Sequence, residues 1–85
     1  MPRVTVVIPT YNRRDLVHEA IASVTAQSYP DCEVIVVDDG SNDGTGEVVR
    51  RFGGVRYVYQ SNCGVSAARN VGVACGRGEV IAVLD

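Results

Sequence analysis

The sequence predicts an α/β fold: a three-layer α/β/α domain around a mostly parallel sheet of about four strands. Two observations carry this expectation. Residues 3–9, 33–37 and 79–85 are short, largely β-branched runs without polar alternation, as strands covered on both faces are. Between the strands lie segments whose apolar residues recur at helical spacing, so strand and helix alternate and right-handed crossovers bring the strands side by side.

Each element follows in order. Residues 3–9 form the first strand. Asn12 is placed to cap a helix running to about residue 28, with Asp15 in its first turn and Leu16, Val17, Ala20, Ile21 and Val24 as its apolar face. Tyr29-Pro30-Asp31 breaks that helix, and residues 33–37 form the second strand. A second helix begins near Asp43, turns Val48, Val49 and Phe52 inward and ends at Gly53-Gly54. The third strand, residues 55–59, mixes Arg56 with Tyr57 and Tyr59, which suits a sheet edge. The third helix, residues 64–75, turns Val65, Ala68, Gly72 and Cys75 to the sheet, and its small residues let it lie close. Gly76-Arg77-Gly78 leads into the fourth strand, whose composition suits the middle of a sheet although nothing follows to cover its outer edge. The chain therefore reads as cut at that strand.

Size and charge exclude several classes. At 85 residues the chain is one domain at most, burying roughly 60–65% of its unfolded surface. Its 46% hydrophobic and 21% charged residues are those of a globular protein, and the net charge of −2 provides no basic stripe for nucleic acid. Cys32, Cys63 and Cys75 are odd in number and lack zinc-site spacing; they read as reduced, partly buried residues of a cytoplasmic protein. No segment approaches the ~20 apolar residues of a membrane span, and residues 4–8 are too short a run for a signal-peptide core.

The candidate chemistry lies at strand ends, where open α/β sheets bind ligands. The second strand runs into Asp38 and Asp39 and then the turn Gly40-Ser41-Asn42. Two carboxylates there suit a nucleobase imide, a ribose hydroxyl or a divalent cation, although aspartate is also a common turn residue. Phosphate loops are absent: the first strand leads into Pro9-Thr10-Tyr11-Asn12-Arg13, Gly44-Thr45-Gly46 and Gly76-Arg77-Gly78 lack a third glycine, and there is no G-K-[ST]. Tyr11 is either a stacking platform for a base or an aromatic covering the sheet's end. Asp43 reads as a helix-start carboxylate. Arg69 sits beside the sheet-facing side of the third helix, as a cation for a diphosphate or as an ion-pair partner of Asp38 or Asp39. The single histidine, His18, reads as an ordinary helix residue, and Tyr57 and Tyr59 as strand packing.

Four segments together resemble the amino-terminal half of family 2 glycosyltransferases of the GT-A, Rossmann-like fold. They are Val6-Val7-Ile8-Pro9-Thr10-Tyr11-Asn12, the stretch 37–45 around Asp38-Asp39-Gly40-Ser41, Asn62-Cys63-Gly64-Val65-Ser66-Ala67-Ala68-Arg69-Asn70-Val71-Gly72, and Gly78-Glu79-Val80-Ile81-Ala82-Val83-Leu84-Asp85. The resemblance implies transfer of a sugar from a nucleotide-activated donor, usually a UDP-sugar, with inversion, and a divalent Mn or Mg ion at the diphosphate. It implies that Pro9, Thr10 and Tyr11 line the base pocket with Tyr11 on the uracil, that Asp39 accepts the imide hydrogen, and that Asp38 supports it or the ribose. It further implies that Arg69 approaches the diphosphate and that Asp85 is the first aspartate of a D-x-D motif at the metal site. The second D-x-D carboxylate, the acceptor-binding half and the general base would follow residue 85, so the expectation is a nucleotide-binding half that is inactive alone.

Two other classes compete. The uncovered fourth strand suggests a non-catalytic module that self-associates through this edge. A receiver-like signalling domain would need a lysine at a later strand end, and the chain has none.

Overall fold

Successive Val and Ile residues at 6–8 and 34–37 leave neither strand a polar face, so both must be covered on two sides. The structure, a computed structural model, describes residues 3–26 and 31–84 and achieves that covering. Its elements are β1 (Val4–Thr10), α1 (Arg14–Ala26), β2 (Cys32–Asp38), α2 (Thr45–Arg50), β3 (Val55–Tyr59), α3 (Val65–Cys75) and β4 (Val80–Val83). The strands form one parallel sheet in the order β3-β2-β1-β4. The fold class is the one the sequence predicts.

Alternation along the central strands splits the core in two. Ile8, Val34 and Val36 pack on Val17 and Ile21 of α1 and Val49 of α2. Val7, Ile35 and Val37 pack on Ala68 of α3 on the other face. The chain winds outward from β1 through β2 to β3, then returns across the sheet to place β4 beside β1. A right-handed crossover that reverses direction must use the opposite face, which is why α3 is the one described helix there. The reversal leaves a crevice at the carboxyl ends of the strands.

Gly72 lets α3 approach: a Cβ at this position would lie 2.2 Å from Val7 Cγ1. At the opposite, amino-terminal end of the sheet the fastening is polar. Glu33 accepts hydrogen bonds from Thr5 Oγ1 (2.7 Å), the Arg77 N–H (2.7 Å) and Arg56 Nη1 (3.2 Å), and pairs with the Arg77 guanidinium at 3.6 Å. Thr5 Oγ1 in turn accepts from the Gly78 N–H at 2.8 Å. This one carboxylate therefore ties β1, β2, β3 and the turn into β4. Burial alone would raise its pKa, but these donors and the Arg77 charge outweigh it and hold it at about 2.

Several expectations are corrected. Leu16 and Val65 are 56% and 54% exposed rather than buried. Both sit in the first turn of their helices, and α1 and α3 start beyond the carboxyl ends of the strands, where no strand lies beneath. Asn12 does not cap α1: its Oδ1 accepts from the Asn42 N–H, and the α1 start is instead met by Asp43 Oδ2, which accepts from the Arg14 N–H. Cys63 is exposed, whereas Cys32 and Cys75 are half-buried. The expectation of an uncovered fourth strand holds: β4 lies at an edge of the sheet, with no described strand on its outer side. The expected helix end near residue 28, the Tyr29-Pro30 break and Asp85 lie outside the described residues.

Candidate functional site

The site begins where β1 and β2 separate. Their pairing runs to Thr10 opposite Asp38, and the Asp39 N–H donates once more to the Thr10 carbonyl at 2.9 Å. The pleat then sends the two adjacent aspartates to opposite faces. Asp38 follows Val34 and Val36 toward α1 and α2; Asp39 follows Ile35 and Val37 toward α3.

Their environments differ accordingly. Asp38 is fully buried; its Oδ1 accepts from the Ser41 N–H at 2.8 Å and its Oδ2 from the Tyr57 hydroxyl. Burial and that bond to Asp38 push the Tyr57 phenol above its ordinary pKa. Asp38 thus has both oxygens engaged inside the protein, and Tyr57 is its partner rather than simple strand packing. Asp39 is 5% exposed and lines the crevice. Its Oδ1 accepts from the Cys63 N–H at 2.7 Å and Gln60 Nε2 at 2.8 Å, and its Oδ2 from the Gly64 N–H at 2.9 Å. The Cys63 N–H, then Gln60 and Gly64, hold its pKa below the usual aspartate range against the effect of burial. Gly64 reaches this position with φ +99, a backbone that other residues adopt only under strain.

The crevice has a volume of about 470 Å³ and is walled by Pro9, Thr10, Tyr11, Arg13, Asp39, Asn62, Gly64, Val65 and Ala68. That size is typical of a small-molecule site. The structure thus brings Pro9, Thr10, Tyr11 and Asp39 together, with the Tyr11 side 46% exposed at the rim. It sets Asp38 behind the wall. Arg69 follows the wall residue Ala68 on α3 and is half-buried. The described donors to the Asp38 and Asp39 carboxylates are Ser41, Tyr57, Gln60, Cys63 and Gly64.

Sequence reasoning passed over Arg13, Gln60 and Asn62 as site residues. Gln60 was findable: it follows β3 as Asp39 follows β2, and every strand's carboxyl end opens on the same side of a parallel sheet. Asp43 takes the helix-start place expected of it, accepting from the Thr45 N–H at 3.1 Å and from its hydroxyl. His18 packs against Phe52 with ring centroids 5.2 Å apart.

Among the described residues the crevice wall presents an anion whose lone pairs are mostly occupied, an aromatic rim and one cation, Arg13. It suits recognition of an N–H donor on a flat ring. Among the described residues no group of three His, Cys, Asp or Glu side chains is positioned to hold a metal ion.

An open parallel sheet with a carboxylate-walled crevice at its reversal point defines a Rossmann-like α/β fold. Residues 5–85 match the sequence profile of the family described as Glycosyl transferase family 2. The chain belongs to that family. It is 36% identical over 89 residues to the uncharacterized glycosyltransferase EpsJ of Bacillus subtilis (strain 168), covering 100% of this chain and 26% of EpsJ. Among solved structures, S. aureus TarS 1–349 superposes with a TM-score of 0.91 at 29% identity, over 98% of this chain and 27% of TarS. The mannosyltransferase PcManGT of Pyrobaculum calidifontis, in complex with GDP-Man and Mn²⁺, superposes with a TM-score of 0.81 at 34% identity, over 94% of this chain and 26% of that protein. The architecture is that of the GT-A glycosyltransferases. The chain spans about a quarter of the length of these relatives.

Proposed function

We propose that residues 1–85 are the donor-nucleotide half of a glycosyltransferase that takes a UDP-sugar and transfers the sugar to an acceptor with inversion. The observation that carries the reading is the hydrogen-bond state of Asp39. A carboxylate offers about four acceptor positions. Two on Oδ1 are taken by Cys63 and Gln60, and one on Oδ2 by Gly64. Among the described residues no further donor reaches Asp39, so one position remains in a group lining the crevice. The uracil imide presents a single N–H and matches it. Guanine presents two adjacent donors and would need a second acceptor, so this geometry favours UDP over GDP, unlike the GDP-Man bound by PcManGT.

In this reading Tyr11 stacks on the uracil, Pro9 and Thr10 form the wall beneath it, and Arg69 approaches the diphosphate. Asp38 acts from behind, holding the Ser41 turn. Asp39 is a recognition group and a poor base, because its donors favour the ionised form. The general base and the acceptor site then belong to other parts of the protein, and this chain alone is inactive. Family membership supports inversion. The Mn²⁺ of PcManGT supports a divalent ion, Mn or Mg, in the longer domain, with Asp85 among its ligands.

The free thiols of Cys32, Cys63 and Cys75 support a cytoplasmic setting, and no described helix is long and apolar enough to cross a membrane. A second property has its own observation. β4 is hydrogen-bonded to β1 on one side of the sheet, and Val80 and Leu84 are 55% and 38% exposed. A second copy can pair with this edge about a two-fold axis. Sedimentation at rising concentration would show a dimer, and a constant monomer would remove this property.

The experiment for the main reading is calorimetric titration of UDP and GDP, with and without Mn²⁺, into the protein and its Asp39→Ala variant. UDP binding that the variant loses, with weaker GDP binding, is expected. Equal binding of both nucleotides by wild type and variant would sink the assignment.

A further inference from the structure

We infer that Asn12 is a positioning residue of the base pocket, clamping the loop that carries Tyr11 to the loop that follows Asp39; the inference rests on the nucleotide reading above. Among the described residues Asn12 is the one non-glycine residue with positive φ, at 48°. Asparagine enters this left-handed region more readily than most residues, but still at some cost. Something must hold it there.

The structure supplies the holders. The Asn12 N–H donates to Ser41 Oγ at 2.7 Å, and Asn12 Oδ1 accepts from the Asn42 N–H at 2.8 Å. Ser41 is itself anchored, since its N–H donates to the buried Asp38 carboxylate, whose other oxygen is held by Tyr57. The left-handed turn at residue 12 directs its side chain to the β2–α2 loop while both neighbours, Tyr11 and Arg13, line the crevice. Asp38 and Asp39 thereby divide the work: one faces the crevice, and the other fixes the loop opposite it.

This is a positioning role, because Asn12 is not part of the crevice wall. Its consequence is specific. Loss of the clamp lets the Tyr11 ring move from the base, and it matters for binding only while Tyr11 is present.

The test is UDP titration of wild type, Asn12→Gly, Ser41→Ala, Tyr11→Ala and the Tyr11→Ala/Asn12→Gly double variant, with thermal unfolding of each. Asn12→Gly keeps access to positive φ and removes the side-chain acceptor; Ser41→Ala breaks the other bond should the glycine variant fold poorly. Each is expected to weaken UDP binding about tenfold, the scale of a lost hydrogen bond or two. The double variant is expected to bind no worse than Tyr11→Ala. A merely structural role would weaken binding equally in both backgrounds. Unchanged affinity in both Asn12→Gly and Ser41→Ala, or strict additivity with Tyr11→Ala, overturns the clamp. Absence of UDP binding by the wild type overturns the nucleotide reading, and the inference falls with it.

Discussion

Gly72 of α3 rests directly on Val7 of β1: a methyl group at residue 72 would come within 2.2 Å of Val7 Cγ1 and 3.1 Å of Cγ2. Val7 is fully buried in the central strand and has no room to withdraw. This contact sets how far α3, and with it one wall of the crevice, stands from the sheet.

Gly72→Ala therefore overpacks the core. We expect a loss of about 1–3 kcal/mol, seen as a Tm lowered by roughly 5–15 °C. A Tm equal to that of wild type would show that α3 can shift outward at no cost.

Glu33 predicts a pH dependence of stability. Its folded pKa, about 2, lies below the ordinary 4.5. A depressed carboxylate contributes stability that is complete above the unfolded value and is lost as pH falls from about 4.5 toward about 2. Urea unfolding should therefore show wild type more stable than Glu33→Gln near neutral pH, with the gap closing through that acid window. A gap independent of pH would contradict the assignment.

Asp39→Asn replaces an acceptor oxygen with an NH₂ group facing N–H donors. At least one of the Gly64, Cys63 and Gln60 bonds must be lost, at a cost of about 1–3 kcal/mol for a buried unpaired donor. We expect lowered Tm together with loss of UDP binding. Because the wild-type pKa is held low, wild-type binding should stay level from neutral pH down to about pH 5, which titration at several pH values checks.

Leu16→Gln and Ile21→Ala separate the exposed from the buried side of α1. Leu16 is 56% exposed and Ile21 fully buried. The first change should stay within about 0.5 kcal/mol of wild type and the second should cost about 2–5 kcal/mol, both read from chemical denaturation.

Much of this architecture was legible in the residues. Val34 to Val37 allow no exposed face, so a central strand was forced, and Arg56 and Tyr59 marked β3 as an edge. Asp39 was legible as a residue of the strand-end crevice because it ends an apolar strand. Asp38 was read as its companion, yet the pleat alone sends neighbours to opposite faces, and that rule separates a crevice group from an internal one. Leu16 and Val65 fit the helical stripe, but the stripe does not say where the sheet beneath it stops. Cys63 and Gly64 act on Asp39 through backbone N–H groups, and donors that every residue possesses leave no mark in side-chain chemistry. Glu33 entered only as the first residue of the second strand; its partners come from positions 5, 56 and 77, which only the folded topology unites.

The Glu33 fastening and the crevice occupy opposite poles of the sheet. One pole secures the order of the strands, and the other is left to loops that do not carry that burden. Changes in the Tyr11–Arg13, Gly40–Gly44 or Gln60–Gly64 loops can then alter ligand preference without reopening the question of how the chain folds. A scaffold divided in this way can be repurposed by exchanging loops at one end, and libraries confined to those segments should retain folded members at a higher rate than libraries that touch Glu33.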